Sequence, residues 1–515
     1  MKKFLYILAA GIIAMSFYAC DQDLLNTNPT DEVASEAIFG TPFGAQTALN
    51  GIYRAMHRNS TIWSAGWTDE HPGFFSTPLV RGLMGEDHLM LGGGSGWFWW
   101  DYHYWIDGDY TNPSGRQLGT WVFFYTIIAQ TNIIIAHTEQ LLAVEAYRAD
   151  GKRVLGQAYA LRALSYTMLF EWFCQGNYPV NRLTPGVPIY TEPTTTYTRG
   201  VGRGTVAEVF VRINADFARA IELFEGATSR LHTSHLDKYS THLWWARVHQ
   251  IQENWEQALY HAEAALRRPG LTRVATMAEL GQLNNRNAPS VMWAFEVIAD
   301  QTGPFGPFLS HMDPEGGYGR SARQAIDSWL WNQIPETDAR KRAWWSDGSD
   351  GFPHYTQIKI RYADIATMAG DGLWLRAEEA ILIAAEANIR KAAPNFAAAR
   401  ALLAELGARR DSEYAARLAA RTNAATWNTD TRGEFVTLMD EVLFQRRVEL
   451  WGEGMGRLFD LRRLNLGFTR DYEGTNHPGS ARISRSPGDY EFTILIPQRE
   501  IDNNPAFSSA DQNPR

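Results

Sequence analysis

The chain has 515 residues, with 45% hydrophobic and 20% charged, which describes a globular protein with material for a sizeable core. That length allows roughly two to four average domains or one large helical one. A formal net charge of −9 without a basic run speaks against nucleic acid as a partner, and 19 Trp point to rings on a binding surface.

Met1-Lys-Lys is a positive head, and residues 4–19 are apolar but too short to span a bilayer comfortably. The run ends at Tyr18-Ala19-Cys20, which resembles a lipoprotein signal with Cys20 as the acylated first residue of the mature chain. Phe17 stands where Leu is usual, and a plain secretory signal cleaved nearby is the alternative. Asp21 and Asp23 resemble the acidic export tag of surface lipoproteins. We therefore expect a signal peptide at 1–19, a lipidated tether at 20–31 and a single helical domain at 32–515. No further segment is expected to hold the chain in a membrane. Apart from Cys20 the chain has only Cys174, so no intramolecular disulfide is expected, and Cys174 reads as a small buried hydrophobe at a helix end.

A first helix carries Ala45, Ala48, Leu49, Ile52, Tyr53 and Met56 on one face. Residues 59–116 form a long stretch dense in Gly and aromatics, of the kind that is usually functional. Helices follow at 121–142 and 152–173, the second apolar over most of its surface and so central. After a Pro/Gly/Thr-rich excursion at 176–204, Thr205 caps a helix over 206–224. Pairs at 241–252 with 255–267, and at 375–391 with 396–406, repeat one plan. Ala258, Ala262, Ala265 and Pro269 approximate the spacing of a tetratricopeptide unit. The expected fold is mainly α: about four helix pairs in a short, degenerate tetratricopeptide-like solenoid. Loop-rich, ligand-side excursions lie at 59–116 and 270–370, with a few short strands, two of them at 290–298 and 491–497.

Near the end, Phe444, Val448 and Trp451 make one apolar stripe, while Glu441, Gln445 and Glu449 recur a turn apart. Gly452, Gly454 and Gly456 then close the helix, and a second amphipathic turn follows to Arg463. Arg446, Arg447, Glu449, Leu450, Glu453, Gly454, Arg457, Asp460, Leu461 and Arg463 together resemble the carboxy-terminal signature of the SusD/RagB family. Gln445 departs from it, since the family has Glu there, and one residue too many separates Gly454 from Arg457. The likeness extends over nearly the whole mature chain. Ala48 to Tyr53, then Trp121, Tyr125, Ile128 and Asn132, then Ala158, Leu161, Arg162 and Ala163 match family helices in order. Arg376 with Glu378, Ala384 to Ala387 and the closing Ile496 to Pro505 continue the series. The resemblance implies an outer-membrane lipoprotein, facing the cell exterior, that binds a nutrient and delivers it to a TonB-dependent, SusC-like channel. It implies no enzyme and no cofactor, and leaves open a peptide-binding relative.

The residues themselves close no catalytic constellation. Glu86-Asp87, Asp69-Glu70 and Asp107 with Asp109 would serve a surface glycoside hydrolase only at the right separation, and adjacent acids more often are solvated loop residues. No H-E-x-x-H, Walker lysine or G-x-S-x-G occurs. Gly92 to Gly96 and Gly200 to Gly204 lack the context of a phosphate cradle, and Asp347-Gly-Ser-Asp-Gly351 could touch calcium, although its spacing does not fit an EF-hand loop. The strongest functional signal is Gly96-Trp-Phe-Trp-Trp-Asp-Tyr-His-Tyr-Trp-Ile106. As an extended segment it would present alternating faces of rings, with Trp97, Trp99, Trp100 and Trp105 as candidate glycan contacts. A second pool, Tyr318, Trp329, Trp331, Trp344 and Trp345, has a weaker claim.

Overall fold

The computed structural model describes residues 38–57, 70–71, 73–91, 97–104, 115–302 and 305–514. The signal and tether with Cys20, Asp21 and Asp23, the Gly92 to Gly96 run, Asp69, Asp107, Asp109 and Trp105 lie outside the described residues.

The first helix, α1 (Pro42–His57), buries Ala45, Leu49, Ile52, Tyr53 and Met56. After α2 (Ser76–Leu83) come a short strand, β1 (His88–Leu91), and the short helix α3 (Trp99–His103). The helical array is then built from α4 (Gly115–Thr138), α5 (Arg148–Phe173), α6 (Val206–Phe224), α7 (Lys238–Ile251) and α8 (Trp255–Leu266). It resumes, beyond the 270–370 region with its strands β2 (Val291–Phe295) and β3 (Arg323–Ile326), at β4 (Gly372–Arg376), α9 (Ala377–Arg390) and α10 (Phe396–Gly407). The signature supplies α11 (Leu438–Glu449) and α12 (Arg457–Arg463).

Successive helices from α4 to α10 pack on one another, and α11 lies against α9. This is a mainly helical, tetratricopeptide-like array. Local sequence sets some of these boundaries and contacts. Thr205 forms a full capping box with Glu208, satisfying donors that a helix start leaves open. Ala258, Ala262 and Ala265 are fully buried, so small side chains let α8 approach its neighbours. α5 buries almost all of its length, as its apolar surface requires. The stretch Gly115–Ala143 is long and apolar enough to cross a membrane, with a hydropathy of 1.5, contrary to the expectation that none would be. Yet 61% of that window is buried inside the fold, where α4 packs on α5 and α1.

Two sheets fasten the loop-rich regions to the array. β1 pairs antiparallel with β3, His88 opposite Ile326, and β2 pairs antiparallel with β4, Phe295 opposite Gly372. The strand expected at 491–497 is not one: Tyr490–Phe492 is a single 3-10 turn, followed by irregular chain. Its apolar residues Phe492, Ile494 and Ile496 are buried as core without a strand partner.

Much of the tryptophan excess belongs to this core rather than to a surface. Trp244, Trp293, Trp344 and Trp345 are fully buried, and the ring centroids of Phe74 and Trp374 stand 3.9 Å apart. Cys174 is buried at the end of α5, and burial pushes its thiol up to about 11.

Candidate functional site

The signature is the interior joint of the molecule. Gly452, Gly454 and Gly456 all take positive φ, at 73°, 58° and 68°. At Gly456 a side chain is excluded twice over, because a Cβ there would stand 2.7 Å from the Gly82 nitrogen in α2. The extra residue in the signature therefore falls at the point where α12 meets α2.

From this joint, charged side chains reach in every direction and pair. Glu449, fully buried, accepts from Arg376 Nη1 (3.0 Å), Arg410 Nη2 (2.9 Å), Arg410 Nε (3.0 Å) and Arg340 Nη1 (3.0 Å). Against a burial that would raise it, Arg410 and Arg376 hold its carboxyl well below the usual range. Glu453 takes Arg376 (2.7 and 2.8 Å) and Lys359 (2.7 Å), and burial lowers Lys359 to about 8. Asp460 joins Arg446 to Arg463, and Arg463 reaches Glu386 in α9 at 2.6 and 2.9 Å. Gln445 accepts from Arg340 at 2.8 Å and donates to Glu441 at 2.9 Å. A carboxylate could not make that donation, so the amide suits its two neighbours.

This network settles the place of Glu86 and Asp87, which the sequence placed among solvated acids. Both are buried. Arg457 Nη2 donates to Glu86 at 2.8 Å and Arg447 Nε to Asp87 at 2.8 Å. Although burial works to raise it, Arg457 and Arg447 hold Glu86 down to about 2. The indole of Trp451 caps the pair from the signature side, donating to the Asp87 carbonyl at 2.9 Å. Two carboxylates locked in this way by arginines hold a joint together and offer no solvent-facing acid and base.

The ring cluster stands on this joint. It is helical over 99–103 where an extended strand was expected, so the alternation of faces does not hold. The inward set is Phe98, Tyr102 and Tyr104, all buried, while Trp97, Trp99 and Trp100 are half-buried. Phe98 and Tyr104, at φ 72° and 52°, bracket the helix in the left-handed region, a strained conformation for such residues. Phe98 N donates to Glu70 Oε1 at 2.7 Å, and the Arg116 guanidinium lies 5.4 Å from the Phe98 ring while gripping Asp101 at 2.9 and 2.8 Å. Arg470 lies 4.7 Å from the Tyr102 ring and donates to the Tyr102 carbonyl. Tyr102 and His477 are in hydrogen-bond contact at 2.6 Å.

Held in this way, the cluster meets the second loop-rich region. Trp97 packs edge-on to Tyr318, with centroids 5.4 Å apart, and Tyr318 packs on Phe305 at 4.9 Å. Beneath them His311 stacks on Tyr318 at 5.0 Å and meets Phe98 at 4.8 Å. Phe305 is 54% exposed and Trp97 and Tyr318 are half-buried, over a buried floor of Phe98 and His311. Partly exposed aromatic rings over a fixed floor suit the apolar C–H faces of sugars. Of the second pool, only Tyr318 enters this platform. Trp344 and Trp345 are core, and Trp331 lies under Lys341, whose Nζ is 4.1 Å from its centroid. Phe305 was missed because a single Phe between Pro304 and Gly306 carries no pattern.

Sequence reasoning also missed a groove over the outer side of α4. It encloses about 490 Å³ and is lined by Trp121, Tyr125 and Tyr190, with Thr195, Thr198 and Glu500 among its polar groups. Among the described residues no group of three or more His, Cys, Asp or Glu is placed to hold a metal ion. Asp347 accepts from the Ser349 amide at 3.0 Å and pairs with Arg342.

The chain is thus a stacked helical array sealed by a buried arginine–carboxylate joint, with loop-rich regions gathered on it. A family profile described as starch-binding associating with outer membrane matches residues 93–248, and the SusD family profile matches 360–515. The chain belongs to the SusD/RagB family. Among solved structures, a SusD-like carbohydrate binding protein from Bacteroides vulgatus is 21% identical, with a TM-score of 0.72, covering 93% of this chain and 99% of that one. A laminarin binding SusD-like protein is 18% identical with a TM-score of 0.64, covering 92% of this chain and 99% of its own. Surface glycan-binding protein A from Bacteroides uniformis is 18% identical with a TM-score of 0.65, again covering 92% and 99%. No curated protein sequence matches the chain.

Proposed function

We propose that the chain is a surface-exposed, lipid-anchored subunit that binds a nutrient oligosaccharide and delivers it to a TonB-dependent, SusC-like outer-membrane channel. The observation that carries the binding claim is the platform of Trp97, Tyr318 and Phe305, in which two distant loop regions meet ring to ring. Trp99 and Trp100, half-buried on the same short helix, and Trp105 complete the candidate contacts. The structural neighbours, among them a carbohydrate-binding, a laminarin-binding and a glycan-binding protein, favour sugar over peptide. Anchoring rests on Cys20 and its preceding apolar run, and the channel on family membership.

The test is a glycan and peptide array probed with the chain beginning at residue 21. Saturable binding of one class of oligosaccharide is expected, without release of reducing ends at a catalytic rate. Binding of peptides alone would move the chain to a peptide-importing role, and catalytic release would favour a hydrolase. A second reading places the sugar in the α4 groove, favoured by its volume, which lies within the ~300–1,000 Å³ of ligand pockets. Delivery is tested separately by co-purification with a large β-barrel from mild detergent. Repeated recovery of the chain alone would count against it.

A further inference from the structure

The polar groups on the floor of the α4 groove are mostly spent within the chain. Tyr125 donates to the Pro188 carbonyl at 2.8 Å, and the Tyr190 hydroxyl accepts from the Val201 amide at 3.2 Å. Asn132 donates to the Tyr190 and Glu192 carbonyls, both at 3.1 Å, and accepts from Arg162 at 2.7 Å. Thr198 accepts from the Thr195 amide at 2.8 Å, and Trp121 donates to Glu500 at 3.3 Å. Apolar contact is therefore the groove's main offer, and Val122, Ala129 and Ile133 stay only half-buried along it. Single apolar side chains on a surface need no explanation, but a row of them lining about 490 Å³ calls for a cover.

The course of the chain brings a covering segment to this place. The described residues begin at 38, and buried Phe39 stacks on His137 in the last turn of α4, with centroids 5.3 Å apart. His137 lies one turn beyond Ile133, which lines the near end of the groove. The far end, at Trp121, is about 24 Å along the helix from His137. Residues 21–37 are polar apart from Leu24, Leu25, Val33 and small or Pro residues. Leu25 precedes Phe39 by 14 residues, a reach of up to about 46 Å, so both leucines come to Trp121 with slack. Val33, six residues before Phe39, comes to Ile133. Charge does not decide the matter: Glu500 and Glu192 are matched in number by Arg199 and Arg499, exposed next to the lining residues Thr198 and Glu500.

We propose that the α4 groove is the docking surface for the chain's own amino-terminal segment, with Leu24 and Leu25 against Trp121, Val122 and Tyr125, and Val33 against Ala129 and Ile133. A segment tethered this close has an effective concentration on the order of 1 mM, so even a weak intrinsic affinity keeps the groove covered. The consequence rests on the lipid anchor proposed above. Four residues separate Leu24 from Cys20, so docking shortens the leash from about 60 Å to about 13 Å and turns the α4 face toward the membrane. The docking itself needs no lipid, so the two claims fail separately.

The test uses the chain from residue 21 and a fluorescent peptide of residues 21–37, with binding read by anisotropy. In one form of the chain Leu24→Ser and Leu25→Ser free the groove without touching the fold. That form is expected to bind the peptide saturably, and the parent chain at least threefold more weakly, because its own segment competes. The peptide carrying the same two Ser changes should bind at least tenfold more weakly. Ala129→Arg, added to the freed chain, should also cost at least tenfold while the melting curve stays that of the parent. Should this variant not fold, the peptide variant carries the same test. Absence of saturable binding to the freed chain overturns the proposal, as does equal binding by the freed and parent chains. Displacement of the peptide by a neutral oligosaccharide would give the groove to the sugar, and a dimer of the parent chain that Ala129→Arg abolishes would give it to a second copy. Either result overturns it too.

Discussion

Glu449→Gln probes the joint at its most connected point. The carboxylate takes four bonds from three arginines, all buried. The amide keeps one acceptor oxygen and turns two N–H donors toward guanidiniums that only donate, so at least two charge-assisted bonds are lost. At about 1.5–3 kcal/mol for each bond to a charged group, the loss is about 3–6 kcal/mol. Partners left in place cap it: Arg340 keeps Asp338 at 2.7 Å, Arg376 keeps Glu453, and Arg410 keeps the Ala275 carbonyl at 2.6 Å. The range for breaking a buried pair, about 3–5 kcal/mol, is therefore the expected cost. Urea unfolding followed by tryptophan fluorescence reads it as a lower midpoint. Glu145→Gln is the control, because its partner Arg148 and Glu145 itself are 46% and 85% exposed at the side chain. That exposed pair should contribute about 0–1 kcal/mol. If Glu449→Gln cost no more than the control, the joint would not hold the fold as argued.

Three further outcomes follow from the same structure. His242, His249 and His261 meet between α7 and α8, and burial lowers them to about 4, about 4 and about 2. Their folded values lie below the unfolded ~6.5, so stability is full above that pH and falls as the unfolded chain gains protons, by about 2 kcal/mol per group at pH 5. His249→Phe should remove about one such share of the loss between pH 7 and pH 5, and an unchanged pH profile would refute the assignment. Trp344→Ala should cost about 3–5 kcal/mol and leave little soluble protein, since its ring is fully buried with Lys359 Nζ 4.2 Å from its centroid. Parent-like melting would return Trp344 to the candidate surface rings. Cys20→Ala should release the chain from outer membranes in cells lacking the channel partner. Continued fractionation with membranes would mean that lipidation is not the anchor.

The helices were legible because their signals are local. Thr205 with Glu208 fixes one start, and the alanine spacing of α8 marks a packed face. The signature was legible as a sequence of charges, but not its burial: paired arginines and carboxylates look the same in a sequence whether solvated or sealed inside. Glu86 and Asp87 were misjudged for that reason, since their partners Arg447 and Arg457 are more than 350 residues away, at separations of 360 and 371. The rings were found by density alone. Their division into core and surface depends on the left-handed Phe98 and on long-range anchors such as Arg116 and Arg470, which carry no periodicity. The stretch at 491–497 failed in the opposite way: the i, i+2 spacing of Phe492, Ile494 and Ile496 imitates a strand's alternation, but Leu495 between them is buried as well and the chain forms a 3-10 turn and irregular structure instead.

The central claim is that the Trp97–Tyr318–Phe305 platform holds the ligand. Calorimetric titration of Trp97→Ala and Phe305→Ala with the best oligosaccharide from the array, beside their melting curves, tests it most directly. Each ring contributes about 0.5–1.5 kcal/mol by analogy with aromatic pairs, so each variant should bind roughly two-fold to about tenfold more weakly while melting like the parent. Parent-like affinity in both variants, with binding lost instead on Tyr125→Ala in the α4 groove, would contradict it.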